Sequence, residues 1–202
     1  MGNHTETIKR RYERISSIYD LSDLVIPHAW RKNLLQDVHG KILEVGVGTG
    51  ANLAYYPADA DVTGIDFSPK MLRKAFRKAE RAQANVALGV MDVQHLAFLD
   101  NTFDFVISSL VFCTVPDPVR GLQEIRRVVK PDGKIIMLEH MRSENEFTGK
   151  VLDFFNPLTV KLMGENINRR TMESVEKAGL IVEREEHILT SMVRKIILRP
   201  GK

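Results

Sequence analysis

The chain contains a single cysteine, Cys113, in 202 residues. A lone thiol excludes an internal disulfide and any cysteine-rich zinc site. The six histidines, at positions 4, 28, 39, 95, 140 and 187, show no His-x-x-x-His spacing, so no metal is expected. No stretch approaches the roughly 20 apolar residues that a membrane-crossing helix needs. The first residues lack the apolar core of a secretory signal. Internal repeats, low-complexity tracts and Gly/Ser linkers are missing as well. The expectation is one metal-independent, cytoplasmic domain over residues 1–202.

Apolar residues make up 44% of the chain and charged residues 27%, an ordinary balance for a globular protein. The net charge of +3 decides little about partners. Periodicity says more. Residues 41–45 form a short apolar run that ends in glycines, and 61–66 read as a second strand. Ser68-Pro69 then opens a helix, as an N-cap serine followed by proline at the first helical position should. That helix carries Met71, Leu72, Ala75 and Ala79 on one face and Lys70, Arg73, Lys74, Arg77 and Lys78 largely on the other. Strands follow at 85–91 and 103–110, then a helix around Leu122, Ile125 and Val129 that Pro131-Asp132-Gly133 stops. A fifth strand is expected at 134–139, a helix at 171–178 capped by Gly179, and a terminal antiparallel hairpin from 180–187 and 192–198. Strands alternating with helices imply an α/β fold with a parallel sheet covered on both faces. Its ligand crevice lies at the carboxyl ends of the strands, near the switch in strand order.

Glu44-Val45-Gly46-Val47-Gly48-Thr49-Gly50 places three alternating glycines there, at the expected junction of first strand and first helix. Glycine serves where backbone turns sharply and must approach a ligand. Asp66 closes the second strand about 20 residues later, where a carboxylate accepts both hydroxyls of a ribose. An adenosine-type ligand is indicated. Gly46, Gly48 and Ala51 satisfy the nicotinamide dinucleotide fingerprint by themselves. Glu44 argues against that reading, because it would repel a pyrophosphate and welcome an ammonium. So does the lack of any Tyr-x-x-x-Lys pair: Ser16, Asp23, Asp59 and Ala60 stand four places after the four tyrosines.

Residues 42–50 resemble the first motif of the class I S-adenosylmethionine-dependent methyltransferases. Residues 66–72 resemble the second, and 91–94 the third. Residues 103–109 are similar to the fourth, and 122–133 to the helix and loop before strand five. The likeness runs in order over about residues 8–198. It implies a Rossmann-like sheet of seven strands, mostly parallel, with a C-terminal antiparallel hairpin and helices on both faces. It also implies the cofactor S-adenosyl-L-methionine. By the same resemblance Gly46, Val47, Gly48, Thr49, Gly50 and Asn52 would hold the methionine moiety, with Glu44 placing its ammonium. Asp66 would take the ribose hydroxyls, and Phe67, Ser68 and Met71 would line the adenosine. Asp92 and Val93 would meet the adenine edge, and Ser109 and Cys113 would border the sulfonium. Phe67, Met71 and Cys113 are equally well explained as core.

The acceptor leaves less trace. Enzymes of this class that methylate exocyclic amines of nucleic acids carry an Asn/Asp-Pro-Pro-Tyr/Phe tetrapeptide after strand four. Here Ser109-Leu110-Val111-Phe112 stands in its place, so no nucleic acid is expected. At the N-terminus, Ile8, Tyr12, Ile15, Ile18 and Tyr19 share a helical face beside Lys9, Arg10, Arg11 and Arg14. Such a helix either caps the cofactor pocket (residues 1–34) or lies on an anionic bilayer, and the two are compatible. Residues 11–20 resemble the start of the bacterial phosphatidylethanolamine N-methyltransferases and of the ubiquinone and menaquinone C-methyltransferases. That resemblance places Tyr19 close to the cofactor. Residues 138–143 resemble thiol methyltransferases. His140 after strand five suits a general base, or simply bonds neighbouring backbone; as a base it would flank an acceptor amine with Tyr19 and help remove its proton. An apolar stretch within 147–170 reads as a substrate lid or as core. Asn168 and Arg169 after it either hold a phosphate or cap the next helix. The expected activity is methyl transfer to a small lipid-like acceptor, first of all the amine of phosphatidylethanolamine. Quinone rings and thiols come next, and a non-catalytic cofactor-binding protein is the reading from another class.

Overall fold

In Lys41–Val45 (β1) only the first residue is exposed. A strand buried on both faces needs apolar residues at odd and even positions alike. Ile42 packs with Leu34, Leu35, Val62, Leu72 and Ala75 on one side, and Leu43 and Val45 pack with Val106, Leu122, Ile125 and Met137 on the other. The computed structural model describes residues 27–162 and 166–202. Tyr19, the basic amphipathic segment and residues 163–165 of the expected lid lie outside the described residues.

The remaining strands are β2 (Asp61–Asp66), β3 (Asn85–Val90), β4 (Phe103–Ser109), β5 (Val129–His140), β6 (Ile181–Leu189) and β7 (Val193–Arg199). They form one sheet in the order β3-β2-β1-β4-β5-β7-β6. The first five are parallel, and β7 runs antiparallel to both β5 and β6. The seven-stranded Rossmann-like sheet with its terminal hairpin is therefore present. Strand order reverses between β1 and β4, so the crevice for a ligand opens beyond their carboxyl ends.

Among the described residues five helices flank the sheet: α1 (His28–Leu35), α2 (Pro69–Ala79), α3 (Pro118–Val128), α4 (Glu146–Leu162) and α5 (Thr171–Lys177). Two of them start by the same device. The Ser68 hydroxyl accepts the Met71 N–H at 3.4 Å and the Asp117 carboxylate accepts the Arg120 N–H at 3.0 Å, each followed by proline. Gly179, at φ +74°, ends the last helix in the left-handed conformation a C-terminal cap needs.

Two expectations need correction. No α-helix follows the glycine loop; the chain makes turns and a single 3-10 turn at Leu53–Tyr55. Gly46, Gly48 and Gly50 all have positive φ, which breaks the helical path. Strand five begins at Val129 rather than Lys134, and α3 ends at Val128 before the proline can act. Val129 pairs with Phe103 and Lys134 with Phe105, so the residues between them bulge out of the ladder.

Candidate active site

The glycine loop is tied to the end of β2 by two hydrogen bonds. The Val47 N–H donates to Ile65 O at 3.0 Å, and the Gly48 N–H donates to Asp66 Oδ2 at 3.0 Å. Asp66 Oδ1 also accepts the Ser68 N–H at 2.8 Å, so one carboxylate joins the loop to the start of α2. Ionised carboxylate oxygens have about four acceptor positions between them, which leaves room for the two hydroxyls of a ribose. Burial raises Asp66 to about 6, against the two N–H bonds that lower it. A side chain at Gly48 would meet nothing nearer than 3.9 Å, so the loop faces open space there. A side chain at Gly46 would instead meet Val111 at 2.4 Å. The glycine loop thus touches the loop after β4.

Glu44 is 2% exposed beneath that space. Asn52 Nδ2 donates to its Oε1 at 2.8 Å and the Tyr56 hydroxyl to its Oε2 at 3.0 Å. Arg31 Nη1 donates in turn to Asn52 Oδ1 at 2.7 Å, and Asn52 Nδ2 also reaches Ser109 Oγ at 3.2 Å. Burial lifts Glu44 to about 7, although Asn52, Tyr56 and the charge of Arg31 pull it down. A buried anion of this kind gains most from a bound cation. The open cradle at Gly48, the half-satisfied Asp66 and the buried Glu44 fit an aminoacyl nucleoside bearing an ammonium.

Other residues named from the sequence fall around the same crevice. Thr49 is buried and accepts from Lys78 Nζ at 3.3 Å, while Gly50 closes a turn onto Val47 O at 2.9 Å. Phe67 is half-buried directly after Asp66, and Met71 and Val93 belong to the buried core. Asp92 turns inward on its own loop, accepting the Gln94 N–H and Nε2. Cys113 is buried, with its Sγ 3.6 Å from Leu110 O. His140 ends β5 opposite Val193, half-buried at the carboxyl edge.

Asn168 and Arg169 depart from expectation. Asn168 Nδ2 donates to Asp153 Oδ1 at 2.9 Å. Arg169 directs Nε to Phe112 O at 3.1 Å and Nη2 to Val115 O at 2.8 Å, so its fork holds backbone carbonyls rather than facing a phosphate. Part of the apolar stretch faces outward. Phe147 and Phe154 of α4 are each 79% exposed, and Val151, Phe155 and Leu158 join them at helical spacing. Three partners escaped sequence reasoning: Arg31, Tyr56 and Glu139. Glu139 carried a usable signal, an acid directly after the apolar run 135–138.

A family model described as a methyltransferase domain matches residues 43–137. The chain is 36% identical over 140 residues to the phosphatidylethanolamine N-methyltransferase of Cereibacter sphaeroides, covering 67% of this chain and 68% of that one. It is 31% identical over 170 residues to the ubiquinone/menaquinone biosynthesis C-methyltransferase UbiE of Bdellovibrio bacteriovorus, covering 77% and 72%. With the thiol S-methyltransferase TMT1B of Rattus norvegicus it shares 31% over 142 residues, covering 68% and 58%. In fold it resembles a SAM dependent methyltransferase from Aquifex aeolicus, with a TM-score of 0.58, 20% identity and coverage of 78% and 80%. Fold and crevice define a Rossmann-type protein that binds an adenosyl cofactor. The chain belongs to the class I S-adenosylmethionine-dependent methyltransferases and is an enzyme of that kind.

Proposed function

We propose that this enzyme methylates an apolar, lipid-like acceptor, with the amine of phosphatidylethanolamine as its first substrate. One observation carries the reading. Helix α4 leaves the carboxyl end of β5 and shows Phe147, Val151, Phe154, Phe155 and Leu158 to the outside. The chain then returns to the crevice, where Asn166 N–H donates to Cys113 O at 2.9 Å. An apolar face of that extent beside a site suits acyl chains better than water. The phosphatidylethanolamine enzyme of Cereibacter sphaeroides, at 36% identity, supports the same class of acceptor.

S-adenosylmethionine supplies an electrophilic methyl group on a positive sulfonium. When bound, its ammonium would be held by Glu44 with Asn52, its ribose hydroxyls by Asp66 and its adenine edge by Asp92 and Val93. Backbone at 46–50 would carry the methionine part, and Ser109 and Cys113 would border the reacting centre. Most of the acceleration then comes from alignment, because an acceptor held in line and within about 3–3.5 Å avoids most of the entropy cost of the encounter. A nitrogen acceptor must also lose a proton, a role that this reading gives to His140 at the end of β5 together with Tyr19. Membrane contact through the basic N-terminal segment belongs to the same proposal.

Because Arg169 is committed to carbonyls, a second reading is favoured beside the first: an uncharged acceptor, a quinol ring or a thiol, which needs no phosphate holder. The deciding experiment is transfer from labelled S-adenosylmethionine to a total lipid extract, resolved by headgroup. Label in mono-, di- or trimethylated phosphatidylethanolamine is the expected result. Label confined to quinones, or appearing only when a small thiol is added, would overturn it.

A further inference from the structure

Loop 110–115 follows β4 at the switch point and opens on Leu110, whose φ is +56°. Such a conformation costs a non-glycine residue energy and persists only where its surroundings enforce it. Two ionisable side chains do so from opposite sides. Glu139, 0% exposed, accepts the Ser108 hydroxyl at 2.7 Å and the Val111 N–H at 3.3 Å on Oε1, and the Phe112 N–H at 3.2 Å on Oε2. Arg169 donates to the carbonyls of Phe112 at 3.1 Å, Val115 at 2.8 Å and Cys113 at 3.5 Å. Asn166 adds its N–H and Nδ2 to Cys113 O, at 2.9 and 3.2 Å. Phe112 therefore has its N–H on a carboxylate and its carbonyl on a guanidinium. The gripped loop bears on the cofactor cradle, since Val111 fills the space beside Gly46 and Ser109 accepts from Asn52.

Glu139 is fully buried and Arg169 half-buried, and burying such groups costs energy that an apolar side chain would not. Their geometry is specific to the loop's backbone, however, and backbone position is what an in-line transfer depends on.

We propose that Glu139 and Arg169 are positioning residues that grip loop 110–115 from its two sides and so set the alignment of acceptor and methyl group. The inference rests on methyl transfer in this crevice and is independent of which acceptor is used. A misplacement of about 1 Å at such a site costs on the order of a hundredfold in rate.

The test uses the whole chain carrying Glu139→Gln or Arg169→Lys. Cys113 is the chain's single thiol and lies in the gripped loop, so its reaction with Ellman's reagent reports loop opening without any acceptor. Both variants are expected to label several-fold faster than wild type. With phosphatidylethanolamine vesicles, a quinol or dithiothreitol, whichever the wild type methylates, kcat is expected to fall about tenfold or more while cofactor Kd stays within about twofold. Val62→Ala, a core truncation on β2, is the control for general destabilisation and should move neither readout. Should a variant fail to fold, Asn166→Ala, which removes one side-chain donor to the same loop, is expected to show both shifts at smaller size. Labelling no faster than in the control, or faster labelling with unchanged kcat, overturns the proposal. If the wild type methylates none of the three acceptors, the acceptor reading fails on its own and the labelling rates still decide the grip.

Discussion

Glu44 illustrates how much one residue's chemistry depends on what lies above it. Burial raises it to about 7, so near neutrality a small change in pH switches it between a neutral acid and an anion. Only the anion attracts an ammonium. Affinity for S-adenosylmethionine is therefore expected to tighten as pH rises from about 6 to 7, below the range where the ligand's own amine loses its proton, measured by calorimetry. Glu44→Gln should weaken binding at about pH 7 by about tenfold, roughly 1.4 kcal/mol, and leave it nearly flat with pH. A wild-type affinity that weakens over this range would sink the assignment. Glu44 was legible because it stands just before the glycines, and Asp66 because it closes the second strand beyond them. Arg31 was not, since its partner Asn52 stands 21 residues away and only the fold joins them. Arg169 was misread for a related reason: a sequence shows that a cation is present and not that carbonyls of a distant loop claim it.

At the scale of elements, strands buried on both faces were the easiest to see. β1 and β2 coincide with the runs at 41–45 and 61–66, where apolar residues and glycine boundaries coincide. The start of β5 was hidden, because the bulge after Val129 follows from pairing with Phe103 and leaves no local pattern. Capping is a local effect and was legible. Ser68 is buried and its hydroxyl holds the first turn of α2. Ser68→Ala is expected to cost about 1 kcal/mol, seen as a melting point lower by about 2–4 °C for a chain of this size. An unchanged melting point would mean that Pro69 alone sets the start of the helix. Helix α4 was ambiguous for a physical reason, since an apolar stripe looks the same whether it meets a core, a substrate or a bilayer.

At the scale of the whole molecule, three buried carboxylates among the described residues hold their protons unusually tightly: Glu44 and Glu139 at about 7 and Asp66 at about 6, each raised first by burial. Between about pH 4.5 and 7 the folded protein keeps these protons while the unfolded chain has released them. The folded state then binds more protons, and stability falls as pH rises. Glu183 has the opposite sign, lowered to about 2 by Arg199 and Lys134, but it is exposed and its contribution is screened. Thermal melts of the cofactor-free enzyme are expected to show a higher midpoint at pH 5.5 than at pH 8; the reverse order would mean these groups are ionised in the fold. Added S-adenosylmethionine should raise the midpoint more at pH 8, where Glu44 is charged. The order of strands has a consequence for how the molecule is made. β7 lies between β5 and β6 yet is synthesised after both. Until residues 193–199 leave the ribosome, β5 presents an open edge and β6 has no partner. The nascent chain is expected to be most prone to sticking to its neighbours in that interval, just before its last strand closes the gap.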